Sequence, residues 1–305
     1  MNAKRNKLNR RDFMVTSAGA TLAAAGIPAW SDLGESEKPE PKMAEKKSQV
    51  VLVRDAEAVD SNGKPNAEIL PKMLDRAVTK LLGVEDPVQA WKQLVRPEDT
   101  VGVKSNVWRF LPTPPALEEA IVQRLQAAGV AKERISVADR GILQNPIFQN
   151  ATALINVRPM RTHHWSGVGS LIKNLIMFSP RPYSWHEDSC ANLAGLWDLP
   201  LVKGKTRLNI LVMLTPLFHG KGPHHYQSKY IWPYRGLLVG LDPVAVDAVG
   251  VRILQAQRRV YFGKDEPFAV PPKHIEVAEK KYGLGVADPA RIELVKLGWM
   301  EEALI

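Results

Sequence analysis

Cysteine is scarce, since the 305 residues contain only Cys190. A single cysteine excludes a disulfide within the chain, and it excludes an iron–sulfur cluster held by four thiolates of this chain alone. Long hydrophobic runs are scarce as well. The uncharged run over residues 13–29 is rich in Ala, Gly and Thr, and it is shorter than the ~20 residues that a membrane span requires. We therefore expect neither a disulfide-stabilised protein nor a membrane anchor.

The N-terminus has the features of an export signal. Five basic residues lie within the first eleven, and the uncharged run with its small residues follows them. The pair Arg10-Arg11 stands just before Phe13, which resembles the twin-arginine motif rather than a general secretory signal. We therefore predict a twin-arginine signal peptide over residues 1–29 and a periplasmic or otherwise extracytoplasmic protein. The twin-arginine translocase would be its partner during export.

The rest of the chain divides into a linker and a folded region. Residues 30–48 are charged, contain prolines and have almost no large apolar side chains, which is typical of a flexible linker. Residues 49–305 have the size of one large domain or of two closely joined lobes. The first 29 residues carry five basic residues and one acid, so their removal would lower the formal net charge from +9 to +5. This modest excess argues against nucleic acid as a partner.

Apolar runs alternate with amphipathic stretches through residues 49–305, which predicts an α/β fold with a mostly parallel sheet and flanking helices. Strands are predicted at 50–53, 100–106, 135–138, 153–157, 208–214, 236–241 and 291–297. Helices are predicted at 67–82, 87–94, 115–128, 167–178, 243–257 and 272–282. Several of them begin at a proline, where the missing N–H costs nothing. Asp242 is the expected N-cap of the helix that starts at Pro243.

Residues 160–234 are rich in loops and hold six of the seven histidines. In an open α/β sheet, ligands bind beyond the carboxyl ends of the strands. Lys104 and Asn106 end one predicted strand, although a surface lysine and an asparagine turn would explain them equally well. The predicted strand at 153–157 leads through two arginines and two histidines to the predicted helix at 167–178. We expect the N-terminus of that helix to offer free N–H groups and a positive dipole to an anion.

Two further segments supply imidazoles. Residues 183–190 contain His186 with two carboxylates and the thiol of Cys190, and residues 218–226 contain three histidines in a glycine-rich loop. A divalent metal needs three or four such ligands at one point, but no pair has the spacing of an HExxH helix. A divalent metal therefore stays possible, and the alternatives for these histidines are acid–base catalysis or anion binding.

Several short motifs occur in a characteristic order along the chain. They lie at residues 103–106, 113–117, 155–157, 162–163, 173–175, 222–223 and 236–247. Together they resemble the family of domain of unknown function 362 (DUF362), over about residues 50–297. The resemblance implies an α/β domain, but it assigns no general reaction. Some members carry ferredoxin-like cysteine motifs, which imply electron transfer for those members; this chain has none. It also has Met213-Leu214 where similar sequences usually place an acid, and Arg161 where many have lysine.

The sequence thus predicts an exported α/β protein that binds a small anionic or polar ligand in a basic, histidine-rich cleft. The candidate catalytic residues are His163, His186 and Lys173, because an imidazole can move a proton near neutral pH. The residues expected to contact the ligand are Lys104, Asn106, Arg161, His164, Asn174, His219 and Lys221. The reaction and any cofactor stay open. The alternative is a non-catalytic periplasmic binding protein, or an accessory protein that docks on a redox partner.

Overall fold

The computed structural model of the chain describes residues 47–222 and 226–305. The predicted signal peptide and residues 30–46 of the predicted linker lie outside the described residues, as do His224 and His225. The described residues all lie in one compact unit. Within these ranges, no helix is both long enough and apolar enough to cross a bilayer.

The described strands form one eight-stranded sheet in the order β3-β2-β4-β6-β7-β1-β8, with β5 paired to β4. The strands are β1 (Ser48–Arg54), β2 (Val101–Lys104), β3 (Ile135–Ala138), β4 (Ala153–His163), β5 (Gly167–Gly169), β6 (Thr206–Leu217), β7 (Gly236–Gly240) and β8 (Ile292–Gly298). The pairs β3-β2, β2-β4, β4-β6 and β1-β8 are parallel, whereas β7 is antiparallel to both its neighbours and β5 to β4. The predicted α/β fold with a mostly parallel sheet is confirmed.

Helices cover both faces of the sheet. They are α1 (Ile69–Leu82), α2 (Pro87–Leu94), α3 (Pro115–Ala127), α4 (Pro146–Gln149), α5 (Leu171–Asn174), α6 (Glu187–Cys190), α7 (Pro243–Phe262) and α8 (Lys273–Lys280). Side chains alternate between the faces along each strand. In β1, Val51 and Val53 join the core under α1, α2 and α3, while Val50 and Leu52 join the core under α5, α7 and α8.

The predicted helix at 167–178 is wrong in its first part. Gly167–Gly169 form strand β5, in which Gly167 pairs with His163, and only Leu171–Asn174 are α-helical. Gly167 has a φ of 72°, and a Cβ there would lie 2.3 Å from the carbonyl oxygen of Val270. The turn after β4 thus requires glycine, which a helix start would not. The strand predicted at 153–157 accordingly continues to His163 before the chain turns back.

Candidate functional site

The carboxyl ends of three parallel strands meet at one edge of the sheet. Strands β2, β4 and β6 lie side by side. Lys104 ends β2, His163 ends β4, and His219 follows β6 by two residues. The topology therefore brings together candidate residues that are more than fifty positions apart in the sequence.

Lys104 is fully buried, and its side chain connects the end of β2 to Asp139, just after β3, and to Asn174 on α5. Its ammonium donates to Asp139 Oδ1 at 2.6 Å, to the carbonyl oxygen of Ser105 at 2.7 Å and to Asn174 Oδ1 at 3.3 Å. Burial lowers the pKa of Lys104 to about 8, against the opposing effect of the Asp139 carboxylate. All three N–H groups have acceptors within the protein, so a ligand would have to displace one of them to reach this lysine.

Asn174 is likewise held by the protein. Its Nδ2 lies 3.0 Å from the carbonyl oxygen of Lys104, 2.9 Å from Asn156 Oδ1 and 3.1 Å from the carbonyl oxygen of Val157. Asn156 in turn donates to Asn209 Oδ1 at 3.1 Å. These amides form a chain of hydrogen bonds from β2 across β4 to β6, which fixes the position of α5 over the sheet.

Asn106 organises the loop that follows β2. Its amide oxygen accepts from the N–H of Trp108 at 3.4 Å, and its carbonyl oxygen accepts from the N–H of Thr113 at 2.8 Å. The contacts that the structure gives Asn106 are therefore within the loop itself.

A group of three cations, Arg158, Arg161 and Lys173, is buried behind the end of β4, with exposed fractions of 4%, 5% and 4%. We call them the buried cation group. Arg158 donates to the carbonyl oxygen of Ser170 at 3.3 Å, whereas Arg158 Nε and Arg161 Nε and Nη1 have no hydrogen-bond partner among the described residues. The Arg161 guanidinium lies 4.4 Å from the centre of the Trp108 ring. Burial lowers the pKa of Arg158 to about 10 and that of Arg161 well below its usual value.

The N-terminus of α5 is occupied by a carboxylate of the protein itself. Asp247, on α7, is fully buried and accepts from the hydroxyl of Ser170 at 2.7 Å and from the N–H groups of Leu171 and Ile172 at 2.9 Å each. The expectation that this helix end offers free N–H groups to an outside anion is therefore wrong. Burial raises the pKa of Asp247 to about 6, although its hydrogen bonds favour the ionised form.

Lys173 lies against the thiol of Cys190. Its Nζ is 3.5 Å from Cys190 Sγ, which is its one hydrogen-bond partner in the part of the chain that the structure describes. Burial lowers the pKa of Lys173 to about 8 and raises the pKa of Cys190. In α6, which is one distorted turn, Asp188, Ser189 and Cys190 have φ angles of 44°, 56° and 64°. Positive φ angles are uncommon in residues other than glycine, and they indicate local backbone strain next to the contact between Lys173 and Cys190.

His163 is held as a neutral imidazole. Its Nδ1 accepts from the N–H of Trp165 at 3.2 Å, so the ring proton is assigned to Nε2. Burial, followed by the charges of Lys173 and Arg161, holds the pKa of His163 far below its usual range. The charge of Arg158 acts on the imidazole in the same direction, so all three members of the buried cation group oppose its protonation.

A cleft of about 660 Å³ opens in front of His163. We call it the basic cleft. Its lining includes His163, His164, Trp165, His219, Lys221 and Arg258, together with the backbone and apolar side chains of 268–270. The Nδ1 of His219 has no partner within the described residues. His186 is half-buried, with its ring 4.5 Å from that of Trp165. A separate cleft of about 380 Å³ between α7 and α8 contains none of the candidate residues.

The sequence reasoning did not single out two buried residues that interact electrostatically with Lys173. Arg158 stood in the same polar segment as Arg161, and only the extension of β4 shows that it is buried. His274, from α8, is fully buried, and neither of its ring nitrogens has a partner within the described ranges. Burial, then the charges of Lys173 and Arg158, lower the pKa of His274 to about 3. No local pattern signals that charges about one hundred positions away in the sequence act on His274.

The sequence left a divalent metal possible, and the described residues show no ligand set for one. Among the described residues, no group of three or more His, Cys, Asp or Glu side chains is arranged to hold a metal ion.

A comparison with family models gives a match over part of the chain. The model described as domain of unknown function (DUF362) matches residues 142–252, a range that includes the buried cation group, His163, His219 and Asp247. No match was found among curated proteins or among solved structures. The resemblance to DUF362 is therefore supported for residues 142–252, the segment that carries most of the candidate site.

Proposed function

We propose that this protein binds a small anionic ligand that reaches from the basic cleft to the Arg161 guanidinium, its main anchor, which does not itself line the cleft but lies two residues before His163 on β4. The observation that carries the proposal is the buried guanidinium of Arg161, whose Nε and Nη1 have no partner among the described residues. A buried cation whose N–H groups lack acceptors is costly, and the Trp108 ring contacts the guanidinium without accepting a conventional hydrogen bond. The fork of a guanidinium matches the two oxygens of a carboxylate or phosphate group. A bound anion would supply the missing acceptors.

The balance of buried charge supports the same conclusion. The buried cation group and Lys104 together give four positive charges when both lysines are protonated. The carboxylates that act on Arg158 are those of Asp139 and Asp247. Within the described residues this leaves an excess of about two positive charges, which a ligand with one or two negative charges would neutralise.

The outer part of the cleft would contact the rest of the ligand. Trp165 is 38% exposed and adds an aromatic ring to the lining, and His219 and Lys221 add polar groups to it. Pockets that combine an apolar wall with a few convergent polar groups are typical of small-molecule sites. This arrangement supports the predicted roles of His163, His164, His219 and Lys221 better than those of Lys104 and Asn174, whose polar groups are bonded within the protein, and of Asn106, whose amide oxygen is bonded within its own loop.

Calorimetric titration with sulfate, inorganic phosphate and oxalate tests this proposal. We expect at least one of these anions to bind, and the Arg161→Ala variant to bind it about 10- to 100-fold more weakly, as expected for loss of a charge-assisted pair. Arg161→Lys should restore only part of the affinity because it keeps the charge and loses the fork. Lys203→Ala is the control, because the side chain of Lys203 is exposed and Lys203 is not one of the candidate site residues. Absence of binding, or equal affinity in Arg161→Ala, would overturn the proposal.

We also propose that residues 1–29 direct export by the twin-arginine pathway, so that the ligand is met outside the cytoplasm. The support is the placement of Arg10-Arg11 before Phe13 and an uncharged run.

A further inference from the structure

Aromatic rings form a large part of the lining of the basic cleft. The rings of His163 and His164 are stacked with their centres 4.8 Å apart, and the ring of Trp165 lies 4.4 Å from that of His164. These three residues and Phe268 all line the cleft. Trp165 is exposed, so part of its indole is accessible to a ligand. The cleft therefore offers ring surfaces in addition to its cations.

Two segments that line the cleft come into contact at Gly167. The backbone of Val270 approaches Gly167 so closely that a Cβ at this position would collide with the Val270 carbonyl oxygen. Both residues line the cleft, so the cleft tapers towards this contact. A flat group extends further into a tapering cleft than a puckered ring of the same size. The shape of the cleft therefore favours a planar ligand.

Arg258 holds the lining in place. Its guanidinium donates to the carbonyl oxygens of Phe218 at 3.0 Å, Glu266 at 2.7 Å and Pro267 at 2.6 Å. It also lies 4.7 Å from the centre of the Phe268 ring. Arg258 thus connects the residue that follows β6 with the segment that carries Phe268. A cleft that is formed in advance loses less conformational entropy when a ligand binds.

We propose that the ligand of the basic cleft is an aromatic acid, a flat ring that carries a carboxylate, and that Trp165 determines this specificity by packing against the ring. This inference rests on the proposed anion site and adds the chemical class of its ligand. Residues 161–163 pair regularly with β5, so Arg161 and His163 leave β4 on the same face. The carboxylate would lie at Arg161 and the ring in the cleft. Aromatic rings make edge-to-face or offset contacts with each other that an aliphatic ring does not make.

A pair of acids of similar size tests the proposal. The affinities of benzoate and cyclohexanecarboxylate for the full-length protein are measured by calorimetry. Cyclohexanecarboxylate is at least as hydrophobic as benzoate, so a cleft that selects only for apolar surface would not favour benzoate. We expect benzoate to bind about three- to tenfold more tightly, as the ring contacts predict. Equal affinities, tighter binding of cyclohexanecarboxylate or no binding of benzoate would overturn the proposal.

A variant at Trp165 tests the residue that is held responsible. Trp165→Leu keeps an apolar side chain and removes the ring, so we expect the affinity ratio of the two acids to fall to about one. Tyr261→Leu is the matched control, because Tyr261 is an exposed aromatic residue that does not line the basic cleft, and it should keep the ratio of the unaltered protein. An unchanged ratio in Trp165→Leu would exclude Trp165 as the specificity determinant. The comparison in the unaltered protein stands even if this variant folds poorly.

The failure of this inference differs from the failure of the proposed anion site. If Arg161→Ala weakens the binding of sulfate, phosphate or oxalate but the unaltered protein does not favour benzoate, the anion site stands and the aromatic ligand is excluded. If benzoate is favoured but binds equally well to Arg161→Ala, the aromatic specificity stands and Arg161 is not the anchor.

Discussion

At the scale of single residues, His274 shows how strongly the site disfavours added positive charge. Its imidazole is fully buried, and neither ring nitrogen has a partner among the described residues. The two cations that act on it, Lys173 and Arg158, further oppose protonation and contribute to a pKa of about 3. The folded protein therefore keeps His274 neutral across the range in which an ordinary histidine becomes charged.

Because the folded protein keeps His274 neutral, we predict that the protein loses stability in mild acid. The folded pKa of about 3 lies below the ordinary 6.5, so between these values the unfolded chain binds more protons and stability falls as the pH falls. At pH 5 the contribution of His274 is a loss of about 2 kcal/mol relative to neutral pH. We expect His274→Leu to be as stable as the original protein at pH 7 and to lose less stability on going to pH 5. Urea unfolding at both pH values measures this, and equal losses in the two proteins would contradict it.

At the scale of elements, sequence reasoning succeeded where local signals decide the structure. The helix Pro87–Leu94 was predicted to the residue because Pro87 sits at its first position, and Asp86 caps it by accepting from Gln89 at 2.8 Å. The N-cap role of Asp242 is also confirmed, since it accepts from the N–H groups of Val244 and Ala245. These features depend on neighbours within a few positions.

Sequence reasoning failed where polar residues continue a buried strand. Strand β4 runs on through Arg158 and Arg161 to His163, because β5 and β6 pair with it and cover it. A polar segment with two arginines is more typical of a loop, so its burial could not be read from the local pattern. The same limit applies to the site. Lys104 and Lys173 look alike in sequence, and only their spatial partners separate a structural lysine from an exposed or reactive one.

Asp247, on α7, caps the N-terminus of α5, and its replacement gives a second prediction. Removal of the Asp247 carboxylate in Asp247→Ala leaves three donors without acceptors, those of Ser170, Leu171 and Ile172. We expect the free energy of unfolding to fall by about 3 kcal/mol, since each orphaned buried donor is costly. Asp198→Ala, which breaks an exposed pair with Lys203 at 3.6 Å, should cost less than about 1 kcal/mol. Similar losses in both variants, measured by urea unfolding, would show that Asp247 does not hold α5.

At the scale of the whole molecule, two parts of the sequence that contribute positive charge have different expected roles. Part of the net charge of +9 comes from the five basic residues among the first eleven. The other part is the buried cation group, which would stay with the mature protein after processing. The high isoelectric point of the sequence, about 9.5, is therefore a poor guide to the charge that a ligand meets. The buried group, not the net charge, determines the predicted preference for an anion.

The proposed export route gives a prediction for the intact precursor. The Arg10→Lys and Arg11→Lys double variant keeps all the charge of the signal but removes the arginine pair, so we expect it to accumulate in the cytoplasm as unprocessed precursor. Cell fractionation of a bacterium with a functional twin-arginine translocase, with the mass of the protein in each fraction, measures this. Lys4→Arg is the matched control and should still reach the periplasm. Equal export of the double variant would show that another pathway carries the protein.

The position of β1 has a consequence for how the chain is made. This first strand of the sheet lies between β7 and β8, where Val50 pairs with Gly240 on one side and with Leu294 on the other. During synthesis, β1 leaves the ribosome long before either partner exists. The β1–β8 pairing can form only after residues 292–298 have been made, whereas β2, β3, β4 and β6 pair with one another without β1. A ribosome stalled before residue 292 would hold a chain whose first strand still has an open edge.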